Sequence, residues 1–135
     1  MDFAGRPAHM SALDFVLWQR WRRLGPLPYL VLYVDVAVGP GADAGAGVDP
    51  VLVAAWSRIT RQRIDVVGES AVGWAIIEIR AAAGPGALGS LMVYRDLWLS
   101  DPPDPRPVSL ILVTDSIAEA LKPSLVASGV SLVLV

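Results

Sequence analysis

Apolar positions along the chain switch between two spacings. In "DFVLWQRWRRL", Asp14 to Leu24, Phe15, Trp18 and Trp21 or Arg22 recur at the spacing of one helix face, with Ser11 placed as a cap and a Gly-Pro stop behind. Tyr29 to Val38 is rich in β-branched residues bounded by prolines and glycines, which predicts a strand. Residues 39–49 are Gly/Ala-rich and expected as a flexible loop. Asp49-Pro50 then reads as a cap and first-turn proline opening a short helix through Trp56 to Ile59. Ile64 to Val67 and Trp74 to Arg80 predict two strands, and the length of "GESAVG" between them suits a hairpin and so an antiparallel pair. Helical spacing returns from Ala87 to Leu99 through Leu88, Leu91, Met92, Arg95 and Trp98, and ends at "SDPPDPRP". Val108 to Val113 is a continuous apolar strand, "SIAEALKPSLVAS" a short helix kinked or capped at Pro123, and "VSLVLV" a last strand.

The short helix at Asp49 aside, the order is helix-strand-strand-strand-helix-strand-helix-strand. It predicts an α/β fold with a mixed β-sheet flanked by helices. The 135 residues fit a single domain, 1–135, with residues 1–10 expected as a mobile arm. With 54% apolar residues and five tryptophans, the chain carries more apolar surface than one small domain hides, so other protein subunits are expected, as a homo-oligomer or docked on a larger ring. At least one of Trp18, Trp21, Trp56, Trp74 and Trp98 should lie at such a contact or on exposed surface. No apolar run approaches the ~18 residues of a membrane span. "MDFAGRPAHM" lacks the cationic-then-apolar pattern of a signal peptide. A net charge of −2 argues against a protein that mainly coats nucleic acid, and the absence of cysteine removes thiol chemistry.

Two carboxylates interrupt the hairpin strands. Side chains alternate along a strand, so Glu78 and Arg80 share one face while Ile77 and Ile79 point the other way, and an antiparallel neighbour can bring Asp65 onto the first face. Two carboxylates with one backbone carbonyl, that of Ile79, make a hard oxygen site suited to Mg²⁺, which polarises a phosphodiester and acidifies a bound water.

The element order with these carboxylates resembles the PD-(D/E)XK nuclease superfamily, the restriction-endonuclease-like fold, over roughly Leu13 to Val113. In that family an Asp ends the second core strand and a Glu-x-Lys lies on the third. Asp65 matches the first, and "EIR", Glu78 to Arg80, the second. "GPGALGSLMVYRDLW" is similar to the family's following helix, which often reads G-x-L-x-x-Y. Arg80 stands where the family has its catalytic lysine, and Ser90 is closest to a frequent glutamine. A lysine can shift its pKa and help make a hydroxide, whereas an arginine stays protonated. Arg80 could instead pair with Asp65 or Glu78 and take the metal's place, with no cofactor needed.

The resemblance therefore implies a catalytically degenerate nuclease-fold structural or assembly protein, by analogy a bacteriophage virion component of the head-tail neck. The alternative is a Mg²⁺-dependent DNA endonuclease or exonuclease of a mobile element or repair pathway, with Asp65, Glu78 and Arg80 catalytic. A third reading, an inactive DNA-binding module, is disfavoured by the net charge. Localisation is expected in the virion or the cytoplasm. Arg20, Arg22, Arg23, Arg58, Arg61 and Arg63 either track a phosphate backbone or make subunit contacts. Asp35 either lines the cleft or faces water on an edge strand. Asp115 either caps a helix from Ser116 or marks a ligand site at a strand end. His9 is expected to be solvated.

Overall fold

The structure, a computed structural model, describes residues 5–135. The expected arm, residues 1–10, lies outside the described residues as far as residue 4, and its last residue, Met10, is buried. Ser11 accepts the Asp14 N–H at 3.1 Å and opens α1 (Ala12–Arg23). Asp49 accepts the Val51 N–H at 2.8 Å and opens α2 (Pro50–Thr60). This helix stands between β1 (Val31–Val38) and β2 (Gln62–Glu69), and so adds an element to the predicted order. β3 (Trp74–Ile79), α3 (Pro85–Ser100) and β4 (Val108–Thr114) follow. A 3-10 turn at Glu119–Leu121 leads into α4 (Lys122–Ala127), with Pro123 in its first turn, and β5 (Val130–Leu134) ends the fold.

The five strands lie in sequence order in one open mixed sheet. β1, β2 and β3 are antiparallel, because the β2–β3 link is a tight turn in which the Ser70 N–H meets the Gly73 carbonyl at 2.9 Å. β3, β4 and β5 are parallel, because α3 and then α4 cross between them. The fold is thus α/β, with a mixed sheet flanked by helices. Leu17 and Trp18 of α1 pack on Val66, Ala75, Ile77, Ile79 and Val113 on one face. Leu91 and Trp98 of α3, with Leu125 of α4, pack on Ile64, Ile76 and Leu112 on the other. β3 is covered on both faces, which is why it reads as an almost unbroken apolar run. Each such side chain contributes about 1.5–3 kcal/mol by leaving water. Arg106 pins the start of β3. Its guanidinium meets Glu69 at 2.6 Å, Asp104 at 2.8 Å and the Ser70 carbonyl at 2.7 Å, and stacks 4.7 Å from the Trp74 ring centre.

Strand alternation breaks in both strands of the β1–β2 pair. Val34 pairs with Val66, and both belong to the α1-side core, whereas Val36 pairs with Ile64 in the α3-side core. Residues two apart on a regular strand share a face. Asp35, with φ 54°, lies at the break in β1, and Asp65 lies at the break in β2, where Ile64 and Val66 likewise take opposite faces.

One expectation needs correction. Asp115 caps no helix, since the next turn starts at Glu119; its Oδ1 instead accepts the Ala82 N–H at 2.8 Å, fixing that residue at φ 46°. The Gly/Ala loop is tied down at its start. Arg61 donates to the Gly39 carbonyl at 2.6 Å, the Ala42 N–H reaches Thr60 Oγ1 at 2.7 Å, and Ser57 bonds the Pro40 carbonyl. Gly41 makes this approach possible: it sits at φ 81°, and a Cβ there would collide with the Ser57 carbonyl. Gly41→Ala should cost about 2 kcal/mol and detach α2 from the loop. Hydrogen exchange by mass spectrometry should show faster exchange confined to α2 and residues 39–42. Unchanged α2 protection would show that the loop does not hold the helix.

Candidate functional site

The β2–β3 ladder decides where the carboxylates meet. Val66 pairs with Ile77, so the next step outward sets Asp65 beside Glu78, and the Ile79 N–H donates to Asp65 Oδ2 at 2.9 Å. Glu78 faces the α3 side, as Ile76 does, and is only 3% exposed. Arg80, two residues on and 39% exposed, donates from Nη2 to Glu78 Oε1 at 2.6 Å. The sequence left Asp65 and Glu78 as equal partners for Arg80; the bond goes to Glu78. Glu78 Oε2 is buried without a hydrogen-bond partner among the described residues.

These side chains line a cleft of about 490 Å³ with Asp14, Arg63 and Tyr94. Burial pushes the Asp65 carboxyl up to about 6; the Ile79 N–H opposes this and the Asp14 charge adds to it. Burial and then the Asp65 charge push Glu78 up to about 7, with Arg80 opposing. Near neutrality the pair is therefore poised to hold a proton. Burial and then the Glu78 and Asp65 charges raise the Tyr94 hydroxyl to about 12, with the Ser90 hydrogen bond opposing them. Asp14 and Tyr94 were not singled out by sequence. Asp14 is a first-turn residue of α1 whose Oδ1 reaches across to the Ala81 N–H at 2.7 Å. Tyr94 is the tyrosine of the G-x-L-x-x-Y segment, which was its only signal.

Asp35 lies on the edge strand β1, half-buried. Its Oδ1 is out of water and unbonded among the described residues, 3.9 Å from His9 Nε2. His9 lines the cleft while its side chain stays 55% exposed. The six candidate arginines are spread over α1, α2 and the residue that ends it, and β2, and of them Arg63 lines the cleft. Arg20, Arg61 and Arg63 donate to backbone carbonyls of Val135, Gly39 and Asp35, Arg22 lies 5.4 Å from the Trp18 ring centre, and Arg23 and Arg58 are exposed. A somewhat larger hollow, about 520 Å³, is walled by Tyr33, Trp74, Leu97 and Trp98 and lies apart from the carboxylate pair.

Mg²⁺ is the ion that this donor chemistry suggests, and the residues as arranged do not fit it. Asp65 Oδ2 is committed to the Ile79 N–H and Glu78 Oε1 to Arg80, so a full oxygen set is not free while Arg80 stays in place. Among the described residues, no three His, Cys, Asp or Glu side chains group as a metal site. No described helix is long and apolar enough to cross a membrane. Comparison with protein-family models, with curated proteins and with solved structures returned no match.

Proposed function

We propose that this chain is a catalytically degenerate member of the nuclease-like fold that serves as a structural or assembly subunit. One observation carries the reading: the Arg80 guanidinium lies 2.6 Å from Glu78 Oε1, supplying at the carboxylate pair the positive charge that a metal would otherwise bring. The restriction-endonuclease-like assignment is supported by three antiparallel strands, a helical crossover to a parallel fourth, and carboxylates meeting on one face of β2 and β3. The setting in a bacteriophage virion, at the head-tail neck, rests on the resemblance of sequence and topology alone.

The second reading, a Mg²⁺-dependent DNA nuclease, is favoured by the buried, unpartnered Glu78 Oε2 and by an Arg80 exposed enough to swing away. Asp65, Glu78 and the Ile79 carbonyl would then hold the ion. The two readings separate in one experiment. On the scaffold reading, Mg²⁺ or Mn²⁺ leaves the melting temperature unmoved and plasmid and linear DNA stay intact. An ion at a hundred times its dissociation constant would add about 2.7 kcal/mol of stability, which a melting curve resolves. Metal-dependent cleavage abolished by Asp65→Asn would replace the scaffold by the enzyme.

A further inference from the structure

Helix α2 is amphipathic the wrong way round. None of its eleven residues is buried, and Val51, Leu52, Trp56 and Ile59 are 76%, 61%, 43% and 71% exposed. Leu52, Ala55, Trp56 and Ile59 form one stripe at helical spacing. Ser57 and Thr60, on another side, face inward: Ser57 bonds the Pro40 carbonyl, and Thr60 Oγ1 accepts the Ala42 N–H at 2.7 Å. The chain thus docks this helix by its polar side and turns its apolar side outward. Water is a poor solvent for that stripe, and Trp56 is the most exposed of the described tryptophans, as an uncovered contact surface requires.

We propose that the α2 stripe pairs with the α2 stripe of a second copy of this chain, antiparallel about a twofold axis between residues 55 and 56. Charge selects the direction. Asp49 caps the start of the helix, while Arg58 lies in its last turn. An antiparallel mate sets each acidic end by a basic end and opposes the helix dipoles, whereas a parallel mate sets like by like. Shape agrees. About that axis Trp56 covers the partner's small Ala55, and Leu52 meets the partner's Ile59, an isologous contact. A lipid surface fits less well, because an interfacial helix flanks its apolar face with several cations and α2 contains Arg58 alone. A helix of about 16 Å offers less than the ~800 Å² per partner of a stable interface, so the dimer is expected to be weak and concentration-dependent.

The pairing gives the assembly reading a surface but does not depend on the carboxylate site: DNA cleavage would sink that reading and leave the dimer standing. The test uses the full chain, which has no cysteine of its own. Ala55→Cys, next to the axis, should give a disulfide-linked dimer under mild oxidation. Val51→Cys should not, since its two copies would lie about 13 Å apart along paired helices, beyond disulfide reach. In sedimentation, the unmodified chain should shift from monomer to dimer with concentration. Trp56→Glu should stay monomeric with its circular dichroism and dilute-solution melting temperature intact, because the ring is not part of the protomer's own core. The proposal is overturned by a monomer at every concentration, by equal cross-linking at both positions, by a dimer that survives Trp56→Glu, or by α2-dependent binding to anionic vesicles in place of self-association.

Discussion

Arg80→Ala should lower the free energy of unfolding by about 2–3 kcal/mol near pH 8 and by much less near pH 5. Removing one partner of a buried ion pair costs about 3–5 kcal/mol, since the other charge is left out of water without compensation. The Arg80 side chain is 39% exposed, so water screens part of its effect and the lower figure applies. At the higher pH both carboxylates are ionised, and without the guanidinium they repel each other across the β2–β3 pair. At the lower pH protons do what Arg80 did, because burial holds Asp65 at about 6 and Glu78 at about 7. Urea titrations of both proteins at the two pH values measure the difference. An equal loss at both would mean that Arg80 acts by packing its stem rather than by charge. Adding Glu78→Gln to Arg80→Ala should recover over 1 kcal/mol at the higher pH, the coupling expected of groups in direct contact.

The strands were legible because β-branched runs and turn residues are local signals, and Ser11 and Asp49 announced two helices by the caps they form. The meeting of Asp65 and Glu78 was legible too: strand alternation and a short hairpin leave few arrangements. Beyond that, the local code runs out. Nothing around Asp35 marks the left-handed residue that moves Val36 to the face opposite Val34, because the same alternating letters fit an unbroken strand. Asp115 has the letters of a helix cap, but the backbone at Ala82 offers an N–H that only the parallel β3–β4 crossover brings within reach. Asp14 is likewise read locally as a helix start, and its bond to Ala81 exists because α1 packs across β3. The inward-facing polar side of α2 contradicts the rule by which sequence assigns burial, and the hydrogen bonds to residues 40 and 42 that reverse it are tertiary.

The unmodified protein should lose stability as pH rises from about 4 to 8, by about 3 kcal/mol once charge coupling and partial exposure are discounted. Both buried carboxyls have pKa values above their ordinary ones, so the folded state binds more protons than the unfolded chain across that window. Their contribution is complete below the unfolded values near 4 and is lost as pH passes about 6 for Asp65 and about 7 for Glu78. Carboxylates held low act with the opposite sign and elsewhere. Arg106 lowers Asp104 and Glu69, and the Ala82 N–H lowers Asp115, so their contributions fade only in stronger acid. Glu78→Gln should flatten the upper part of the curve and raise stability at its alkaline end, with Arg80 left free to hydrogen-bond the amide oxygen. A stability curve that stays level or climbs from about pH 5 to 8 would mean the pair ionises freely, as in water. The same curve in Mg²⁺ separates the two functional readings. A bound ion would hold both carboxylates ionised and draw their pKa values down, so the slope would reverse; if Arg80 is the resident counter-charge, the curve stays where it was.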